Sequence, residues 1–306
     1  MEVYPYINQR FLPLLERTEP LVQDSTAMVC AMACKRKYFY RIVLGRVPKI
    51  QQNQIYFDFG GAYHKFREVL EKEGFRQAFE AVKNIKFNTP EPPHKASHYT
   101  NELLLKSCMV AYDYVENEKK QGAFEVIAVE QPFNIQLAEG IFIAGRADQI
   151  VKWRGKLWGR DFKTTTKEVN YFSRGLDPND QVTRYIVGES ALHGTPIEGI
   201  IIEVMQNLKP KKGDPIGRPA IHSVPVSRTI GQINEWKAEQ VTLNKMLEVC
   251  READSWPMEP HNCGWCDYQI LCKQFNERAL ENKIKTDYVF SPWDCTKVEQ
   301  VLEPEV

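Results

Sequence analysis

The chain has 306 residues, 43% hydrophobic and 26% charged, a make-up that suits a globular protein of one large or two ordinary domains. Its 40 basic and 40 acidic side chains give a net charge of zero, which excludes a strongly basic protein. Any nucleic acid would therefore have to bind at a local patch of positive charge. No apolar run is long enough to cross a membrane, and the N-terminal stretch lacks the pattern of a signal peptide, so we expect a cytoplasmic protein. Eight cysteines then favour thiols or metal ligands over a disulfide framework.

The first part of the chain has the periodicity of helices. Helices are predicted at about 25–44, at 62–82 and at 101–119. The second of these helices follows the stretch Asp58–Gly61, whose two glycines predict a break in the chain. The proline-rich segment EPPHKASHYT, which precedes the third helix, is interpreted as a loop.

From about residue 124 the pattern changes to that of strands and their connections. Alternating apolar residues predict strands at 124–137, 141–153 and 156–163, then a loop at 164–177 and a helix at 178–192. The continuous apolar run at 197–206 predicts a fully buried strand. It is followed by the basic loop LKPKKGDPIGRP, a short strand at 222–226, a long helix at 230–250 and a cysteine-rich tail.

This order of elements predicts an α/β fold in which a mixed central β-sheet is flanked by helices. We expect one catalytic core at 58–255 that carries a helical insertion. The N-terminal helical segment at 1–57 and the C-terminal cysteine-rich segment and tail at 256–306 are expected to form a helical cap.

The two strands at 141–153 and 156–163 are predicted to form a hairpin around a two-residue turn at 154–155. Counting back from that turn, Asp148 lies opposite Asp161, where like charges are destabilising unless a cation offsets them. Because strand side chains alternate, Lys163 shares the face of Asp161, whereas Phe162 points to the opposite face. A lone D-x-K triplet on a strand is more often solvated charge, so the interpretation depends on the opposing Asp148.

Two further residues are candidates for the same site. His64 is placed at the start of a helix, where an imidazole is either a metal ligand or a satisfied helix-start residue, and Glu68 follows one turn later on the same face. Glu130 is an acid within the apolar run VIAVEQPF. It either faces solvent, as strand alternation allows, or adds another acid to the metal site.

The segments GGAYHKFRE, VEQPF, GRADQI, RDFKTTT and QVTRY, in this order, resemble the motifs of the PD-(D/E)XK nuclease superfamily. Within this superfamily the segments are most similar to the RecB-type branch, which includes CRISPR-associated and phage exonucleases. The resemblance covers roughly Cys34 to Cys272. The resemblance implies a restriction-endonuclease-like core and a divalent metal, Mg²⁺ or Mn²⁺. By this resemblance His64, Asp148, Asp161 and the backbone carbonyl of Phe162 would be metal ligands, and Lys163 would orient or help deprotonate the attacking water.

The remaining motif residues have roles implied by the same resemblance. Gln181 and Tyr185 match a Gln-x-x-x-Tyr helix that would contact the substrate or support the lysine, and Glu130 matches a strand acid whose role varies. A metal lowers the pKa of its bound water and offsets the charge that grows on a scissile phosphate. The expected activity is therefore that of a metal-dependent DNA exonuclease, acting in DNA recombination, repair or processing.

A second group of candidate metal ligands lies in the segment HNCGWCDYQILC. Cys263, Cys266 and Cys272 supply three thiols, one short of a four-ligand site. In RecB-type nucleases with iron–sulfur clusters the missing ligand precedes the core, and the resemblance implies Cys34 rather than Cys30 for this role. We expect a [4Fe–4S] cluster that staples the two ends of the chain, with a structural Zn²⁺ as the alternative. The other three cysteines are interpreted as ordinary apolar residues: Cys108, Cys250 and Cys295.

Basic and aromatic residues near these motifs could hold phosphates and stack bases, although solvated surface charge is an equally good interpretation of any one of them. They are Lys35, Arg36, Lys37, Tyr38, Tyr40, Lys209, Lys211, Lys212 and Arg218.

The expected partner is DNA with an accessible end or a single strand. No G-x-x-x-x-G-K-[ST] motif occurs, so a motor would have to be another chain, such as a helicase or recombination partner. The alternative function is that of an iron–sulfur-stapled DNA-binding or assembly module whose nuclease site is vestigial.

Overall fold

The computed structural model describes residues 22–50, 54–87, 99–208, 217–274 and 276–293. In chain order the elements are β1 (Val22–Gln23), α1 (Ser25–Ala33), α2 (Lys35–Tyr38), a π-helical turn (Phe39–Val43), β2 (Arg46–Pro48), α3 (Gln54–Glu73), α4 (Phe75–Val82), α5 (Asn101–Gln121), β3 (Glu125–Ala138), β4 (Ile141–Trp153), β5 (Lys156–Thr165), α6 (Val169–Ser173), α7 (Asp180–His193), β6 (Gly199–Leu208), β7 (Arg218–Ser227), α8 (Ile230–Glu252), a 3₁₀ turn (Pro260–Trp265), α9 (Gln269–Cys272), α10 (Glu277–Asp287) and β8 (Tyr288–Phe290).

Contacts between residues divide the chain into two compact units, a sheet unit and a cysteine unit. The sheet unit comprises the described parts of 53–133 and 145–233. The cysteine unit comprises the described parts of 1–52, 134–144 and 234–296.

In the sheet unit the strands β4, β5, β6 and β7 lie side by side in that order, and β3 pairs with β4. β4 is antiparallel to β5, β5 is parallel to β6, and β6 is antiparallel to β7. The predicted apolar strand is β6, which is buried at every position but its last. Together with the flanking helices, this mixed sheet confirms the predicted fold class and its restriction-endonuclease-like core.

The hairpin of β4 and β5 has the predicted turn. Trp153 pairs with Lys156, and Arg154 and Gly155 both have positive φ, at 52° and 79°. Two successive positive φ values are the requirement of the hairpin turn whose twist matches that of the strands. The Arg-Gly pair therefore makes this turn even though it is not the favoured Asn-Gly pair.

Helix α3 begins earlier than predicted, at Gln54, and runs without a break through Asp58–Gly61. It ends at Glu73, because Gly74, with a φ of 91°, divides the helix predicted at 62–82 into α3 and α4. Each glycine inside a helix costs about 1 kcal/mol relative to alanine, whereas burying one aromatic side chain contributes roughly 1.5–3 kcal/mol. Phe59, Tyr63 and Phe66 are all fully buried along one face of α3, so burial outweighs the two glycines. The prediction of a break was wrong, and His64 lies in the middle of the helix rather than at its start.

The core of the sheet unit lies between helices α3 to α5 and one face of the sheet, with Phe162 and Met205 contributed by the strands. Helix α5 matches its prediction closely. It begins where the Thr100 hydroxyl accepts a hydrogen bond from the backbone N–H of Leu103, and it ends at Gly122, whose φ is 60°. These are the usual N-terminal and C-terminal caps of a helix.

A buried ionic network ties helix α3 to the sheet. The carboxylate of Glu203 on β6 is paired with the guanidinium groups of both Arg67 on α3 and Arg160 on β5. Arg160 also pairs with Glu118 on α5 at 2.7 Å, so two cations meet two anions. The Arg67 guanidinium lies 4.0 Å from the ring centroid of Phe162, in the geometry of a cation–π contact.

Helix α7 approaches β4 closely because two glycines leave room for the ring of Phe133. A Cβ atom added at Gly145 on β4 would lie 2.6 Å from this ring, and one added at Gly188 on α7 would lie 2.2 Å from it. Such distances are shorter than any van der Waals contact. The ring also meets Tyr185 edge-on, with 6.3 Å between the ring centroids.

The cysteine unit has its own apolar core and a small sheet in which β2 pairs antiparallel with β8. β1 pairs in parallel with the first residues of β4, Val22 with Phe142 and Gln23 with Ile143. The unit takes in α8 from Asn234 onward, earlier than the predicted boundary at 256, and Leu247 of α8 packs into its core.

Three further predicted elements differ from the structure. The single helix predicted at 25–44 is interrupted at Cys34, whose extended backbone (φ −170°, ψ 120°) separates α1 from α2. The loop predicted at 164–177 contains the short helix α6, and the strand predicted at 222–226 extends over the whole of β7. Residues 91–98 of the proline-rich loop, together with Lys209, Lys211, Lys212 and Cys295, lie outside the described residues.

Candidate metal centre

Three side chains from three elements of the sheet unit converge on one point. His64 of α3, Glu130 of β3 and Asp148 of β4 each offer one ligand atom, and these atoms lie within 4.8 Å of one another. Imidazole and carboxylate donors are a ligand set suited to divalent cations such as Mn²⁺, and carboxylates alone suit Mg²⁺. The chemistry and spacing of these donors therefore fit a divalent metal ion.

Asp148 is fixed in one orientation by contacts to both of its carboxylate oxygens. Its Oδ1 lies 3.2 Å from His64 Nδ1, and its Oδ2 accepts a hydrogen bond of 2.5 Å from the backbone N–H of Phe162. In the structure the backbone pairing of β4 with β5 stops at Gln149 and Arg160. At the point where the two strands separate, the Asp148 carboxylate therefore accepts the hydrogen bond of the Phe162 amide in place of a backbone carbonyl of β4.

Glu130 reaches the site through an unusual backbone conformation. It lies within β3 but has a φ of 54°, in the left-handed region that a non-glycine residue rarely adopts. Such residues in strands re-aim a side chain and are concentrated at functional sites. The Glu130 carboxylate is held at 2.6 Å by the Nε atom of Arg146. This geometry brings Glu130 into the donor group.

Burial and neighbouring charges shift the pKa values of all three donors. Burial, reinforced by the negative charge of Asp148, raises the pKa of Glu130 to about 7, although Arg146 opposes the shift. Burial works against the charged forms of His64 and Asp148, but each stabilises the charge of the other. As a result the pKa of His64 is raised and that of Asp148 is lowered. A proton therefore competes for the donor group near neutral pH.

Asp161 and Lys163 form an ion pair beside this group. Lys163 Nζ lies 2.8 Å from Asp161 Oδ2, and Asp161 is only 2% exposed. Burial raises the pKa of Asp161; Lys163 opposes this shift, and the charge of Asp148 adds to it. Within the described part of the chain, Asp161 is not among the three donors that lie within 4.8 Å. Its role as a metal ligand, and that of the Phe162 carbonyl, remain predictions.

Gln181 and Tyr185 lie one turn apart on α7 and are joined by a hydrogen bond of 2.7 Å from the Gln181 amide to the Tyr185 hydroxyl. The same amide lies 3.5 Å from Asp161 Oδ1. The structure thus brings the predicted Gln-x-x-x-Tyr pair to the Asp161 and Lys163 ion pair. Glu68, in contrast, pairs with Lys65 and Lys72 along α3.

Some residues of the site were not found from the sequence. Arg146 holds Glu130, Arg67 lies over the ring of Phe162, and Glu203 pairs with Arg67. Arg146 lies in the motif GRADQI and Arg67 lies in GGAYHKFRE, so both were within segments already singled out. Glu203 is the one acid in the buried strand β6 and follows three consecutive isoleucines, which was the available signal for a buried partner.

The four predicted cysteine ligands lie near one another in the cysteine unit. Cys34 Sγ accepts a hydrogen bond from the backbone N–H of Glu259, and Cys263 Sγ donates one to the carbonyl of Glu259. Burial raises the pKa of Cys272 to about 11, and the thiols of Cys266, Cys34 and Cys263 are close enough to add to this shift, which Arg36 opposes. The seven described cysteines are all free thiols.

The other cysteines occupy apolar surroundings. Burial raises the pKa of Cys30 to about 11, with smaller contributions that include the thiols of Cys34 and Cys266. Cys108 is part of the core of the sheet unit, and Cys250 borders the core of the cysteine unit.

The proposed stacking role of two tyrosines was wrong. Tyr38 and Tyr40 are at most 1% exposed, and they stack on Trp256 and Tyr268 inside the cysteine unit. Their apolar rings supply core packing and are not available to bases. Arg36 is also engaged, because its Nε atom donates to the carbonyl of Trp256 at 2.7 Å. Lys35 and Lys37 are half-buried, and Arg218 is exposed.

No helix in the described ranges combines the length and the apolar character that crossing a bilayer requires.

Comparisons with known proteins bear on the identity of this chain. The family model of the PD-(D/E)XK nuclease superfamily matches residues 26–273. The Gene 69 protein of Mycobacterium phage L5 is 28% identical over 153 residues, which is 48% of this chain and 45% of that protein, so the match spans less than half of the relative. A crystal structure named "Putative exonuclease" from Eubacterium rectale covers 90% of this chain and 96% of its own, with a TM-score of 0.50 at 11% identity, which shows a shared fold. Because the family match spans most of its length, the chain belongs to the PD-(D/E)XK nuclease superfamily.

Proposed function

We propose that this chain is a metal-dependent deoxyribonuclease of the RecB type that hydrolyses phosphodiester bonds from DNA ends, in DNA recombination, repair or processing. The observation that carries the proposal is the convergence of His64, Glu130 and Asp148 beside the Asp161 and Lys163 ion pair. Membership of the nuclease superfamily supports phosphodiester hydrolysis as the reaction.

The donor group would hold Mg²⁺ or Mn²⁺, with Asp161 and the Phe162 carbonyl as further ligands. When bound, the metal lowers the pKa of a coordinated water and offsets negative charge on the scissile phosphate. Of the two ions, Mn²⁺ is the better match for an imidazole ligand.

The side chains of the site position the other reacting groups. Lys163 is held at 2.8 Å by Asp161, so its ammonium points where it can donate hydrogen bonds to an attacking water or to a phosphate oxygen. Gln181 lies between Asp161 and Tyr185 and fixes the other side of this ion pair. The ammonium group of Lys163 is thereby oriented directly by Asp161 and indirectly by Gln181.

The test of this function is a cleavage assay on labelled single- and double-stranded DNA with Mg²⁺ or Mn²⁺. We expect Asp161→Ala and Lys163→Ala to abolish cleavage while folding and DNA binding are retained. Lys156→Ala is a matched control, because Lys156 lies on the same strand but is 62% exposed and pairs only at the surface with Glu198. Metal-dependent cleavage by purified Asp161→Ala would contradict the proposal. Wild-type protein that binds DNA without cutting it would favour the alternative, a DNA-binding or assembly module with a vestigial site.

We also propose that Cys34, Cys263, Cys266 and Cys272 hold a [4Fe–4S] cluster. All four cysteines lie in the cysteine unit, and the thiols of Cys34, Cys263 and Cys266 are each close enough to raise the pKa of Cys272, which supports one shared centre. Anaerobically purified protein should be brown, and Cys263→Ala should lose the visible absorption. Cys250→Ala, which removes a half-buried thiol outside the four, is the control. Colourless protein that contains zinc would contradict the iron assignment.

A motor partner is a further proposal. These 306 residues contain no nucleotide-binding P-loop motif, so a helicase or recombination protein would supply any ATP-driven unwinding that precedes cleavage.

A further inference from the structure

A pocket with a volume of about 260 Å³ adjoins the Lys163 side of the site in the sheet unit. Its floor includes Ile202, which pairs with Asp161 in the parallel register of β5 and β6 and therefore faces the same side of the sheet. Its wall comes from the segment that contains α6 and the first turn of α7. The lining residues are Lys163, Phe172, Gly175, Leu176, Asn179, Gln181, Val182 and Ile202.

The wall of this pocket is held in place by hydrogen bonds. Arg228 donates to the carbonyl of Leu176 at 2.8 Å and to the Thr183 hydroxyl at 3.0 Å. The Asn179 amide donates to the carbonyl of Gly175 at 3.1 Å, and its oxygen accepts from the backbone N–H of Val182. The pocket is therefore built by the fold before any ligand is present.

The size and lining of the pocket indicate its ligand. A volume of about 260 Å³ is smaller than the roughly 300–1,000 Å³ of pockets for drug-sized molecules, and it suits one base with its sugar. Phe172, Leu176, Val182 and Ile202 offer an aromatic and aliphatic surface, whereas Lys163 supplies a cation at the edge shared with the catalytic site. A group that joins a phosphate to a flat apolar ring matches this arrangement.

We infer that this pocket seats the base of the nucleotide next to the scissile phosphate while that phosphate lies at Lys163. The inference rests on the proposed nuclease function and specifies how its substrate is held. Bases stack on aromatic side chains with little dependence on sequence, because every base has a π face. Both polar groups of the Asn179 side chain are already used within the wall. Gln181, the other amide in the lining, already donates to the Tyr185 hydroxyl, so the pocket would hold a base mainly by shape and by stacking on Phe172.

The experiment compares labelled oligonucleotides with Mn²⁺ that differ only in one base. One substrate is intact. Each of the others carries a single tetrahydrofuran abasic residue, placed on the 5′ or the 3′ side of the first scissile bond, counted from one end of the oligonucleotide or from the other. Stacking of one base contributes roughly 1–3 kcal/mol. We therefore expect kcat/KM to fall by between about five-fold and a hundred-fold for one abasic position.

Two variants and a matched control locate this preference. Phe172→Ala should bring intact and abasic substrates to nearly equal kcat/KM, whereas Tyr171→Ala, which removes a 61% exposed aromatic from the same helix, should keep the wild-type preference. Gly175→Leu should also remove the preference by filling the pocket, since a Cβ at this position meets only the Phe172 carbonyl, at 3.6 Å. Thermal unfolding midpoints near that of the wild type show that the variants are folded.

The outcomes separate this inference from the function on which it rests. Equal cleavage of intact and abasic substrates by the wild type would overturn the pocket inference and leave the nuclease intact. A base preference that survives in both folded pocket variants would also overturn it. Failure to cleave any substrate would overturn the nuclease function itself, and the pocket inference with it.

Discussion

Removing the carboxylate of Glu203 should destabilise the protein far more than removing a surface acid. Glu203 is fully buried and lies between the guanidinium groups of Arg67 and Arg160. In Glu203→Gln these two cations would face only Glu118, which leaves one positive charge buried without compensation. Breaking a buried ion pair in this way costs about 3–5 kcal/mol. Total stability is about 5–15 kcal/mol, so a large share of it would be lost.

The double variant Arg67→Met with Glu203→Leu tests the physical reason for this loss. It removes one cation and one anion together and leaves Arg160 paired with Glu118. Replacing a buried ion pair by apolar side chains of similar volume is often neutral or stabilising. We therefore expect the double variant to be more stable than Glu203→Gln, and to lie close to the wild type.

The assay is urea unfolding followed by fluorescence, with Glu198→Gln as the control. Glu198 is 40% exposed and pairs with Lys156 at the surface, so its loss should cost under about 1 kcal/mol. With a denaturant slope of about 3 kcal/mol per molar, Glu203→Gln should lower the midpoint by about 1–1.7 M. A midpoint within the error of the Glu198→Gln control, or a double variant no more stable than Glu203→Gln, would refute the reasoning.

Three further outcomes follow from the site and its packing. Because the pKa of Glu130 is about 7, protons compete with the metal below neutrality, so Mn²⁺ affinity measured by calorimetry should rise as pH increases from 6 to 8. Glu130→Gln should bind more weakly with a flatter pH dependence, and an unchanged profile would contradict the assignment. Arg146→Met removes the cation that lowers the pKa of Glu130, so the rise of Mn²⁺ affinity should move to higher pH. A rise that moves to lower pH would contradict this role of Arg146. Gly188→Ala should cost about 1–3 kcal/mol by overpacking against Phe133, and adding Phe133→Leu should recover part of this; no recovery would show that the ring is not the obstacle.

Local rules predicted the hairpin and its register well. The two-residue turn at 154–155 sets the pairing of Trp153 with Lys156, and the alternation of side chains then places Asp161 and Lys163 on one face. Helix α5 was also predictable, because Thr100 and Gly122 are standard caps. These features depend on residues that are near one another in sequence.

Features that depend on tertiary contacts were not predictable from local pattern. The glycines of Asp58–Gly61 suggested a break, but the packing of α3 against the sheet keeps the helix continuous. Tyr38 and Tyr40 looked like surface aromatics beside basic residues, yet their rings are packed inside the cysteine unit. The position of Glu130 depends on a single positive φ, which alternation along a strand does not foresee.

The hydrogen bond from the Phe162 amide to Asp148 gives the site a built-in spectroscopic reporter. A backbone N–H that donates to a buried carboxylate should resonate downfield of ordinary amides and exchange slowly with solvent. An ion that draws electron density from Asp148 would weaken this bond and move the resonance upfield. Titrating Mg²⁺ into ¹⁵N-labelled protein would then report occupancy directly, even in variants that have lost all catalytic turnover.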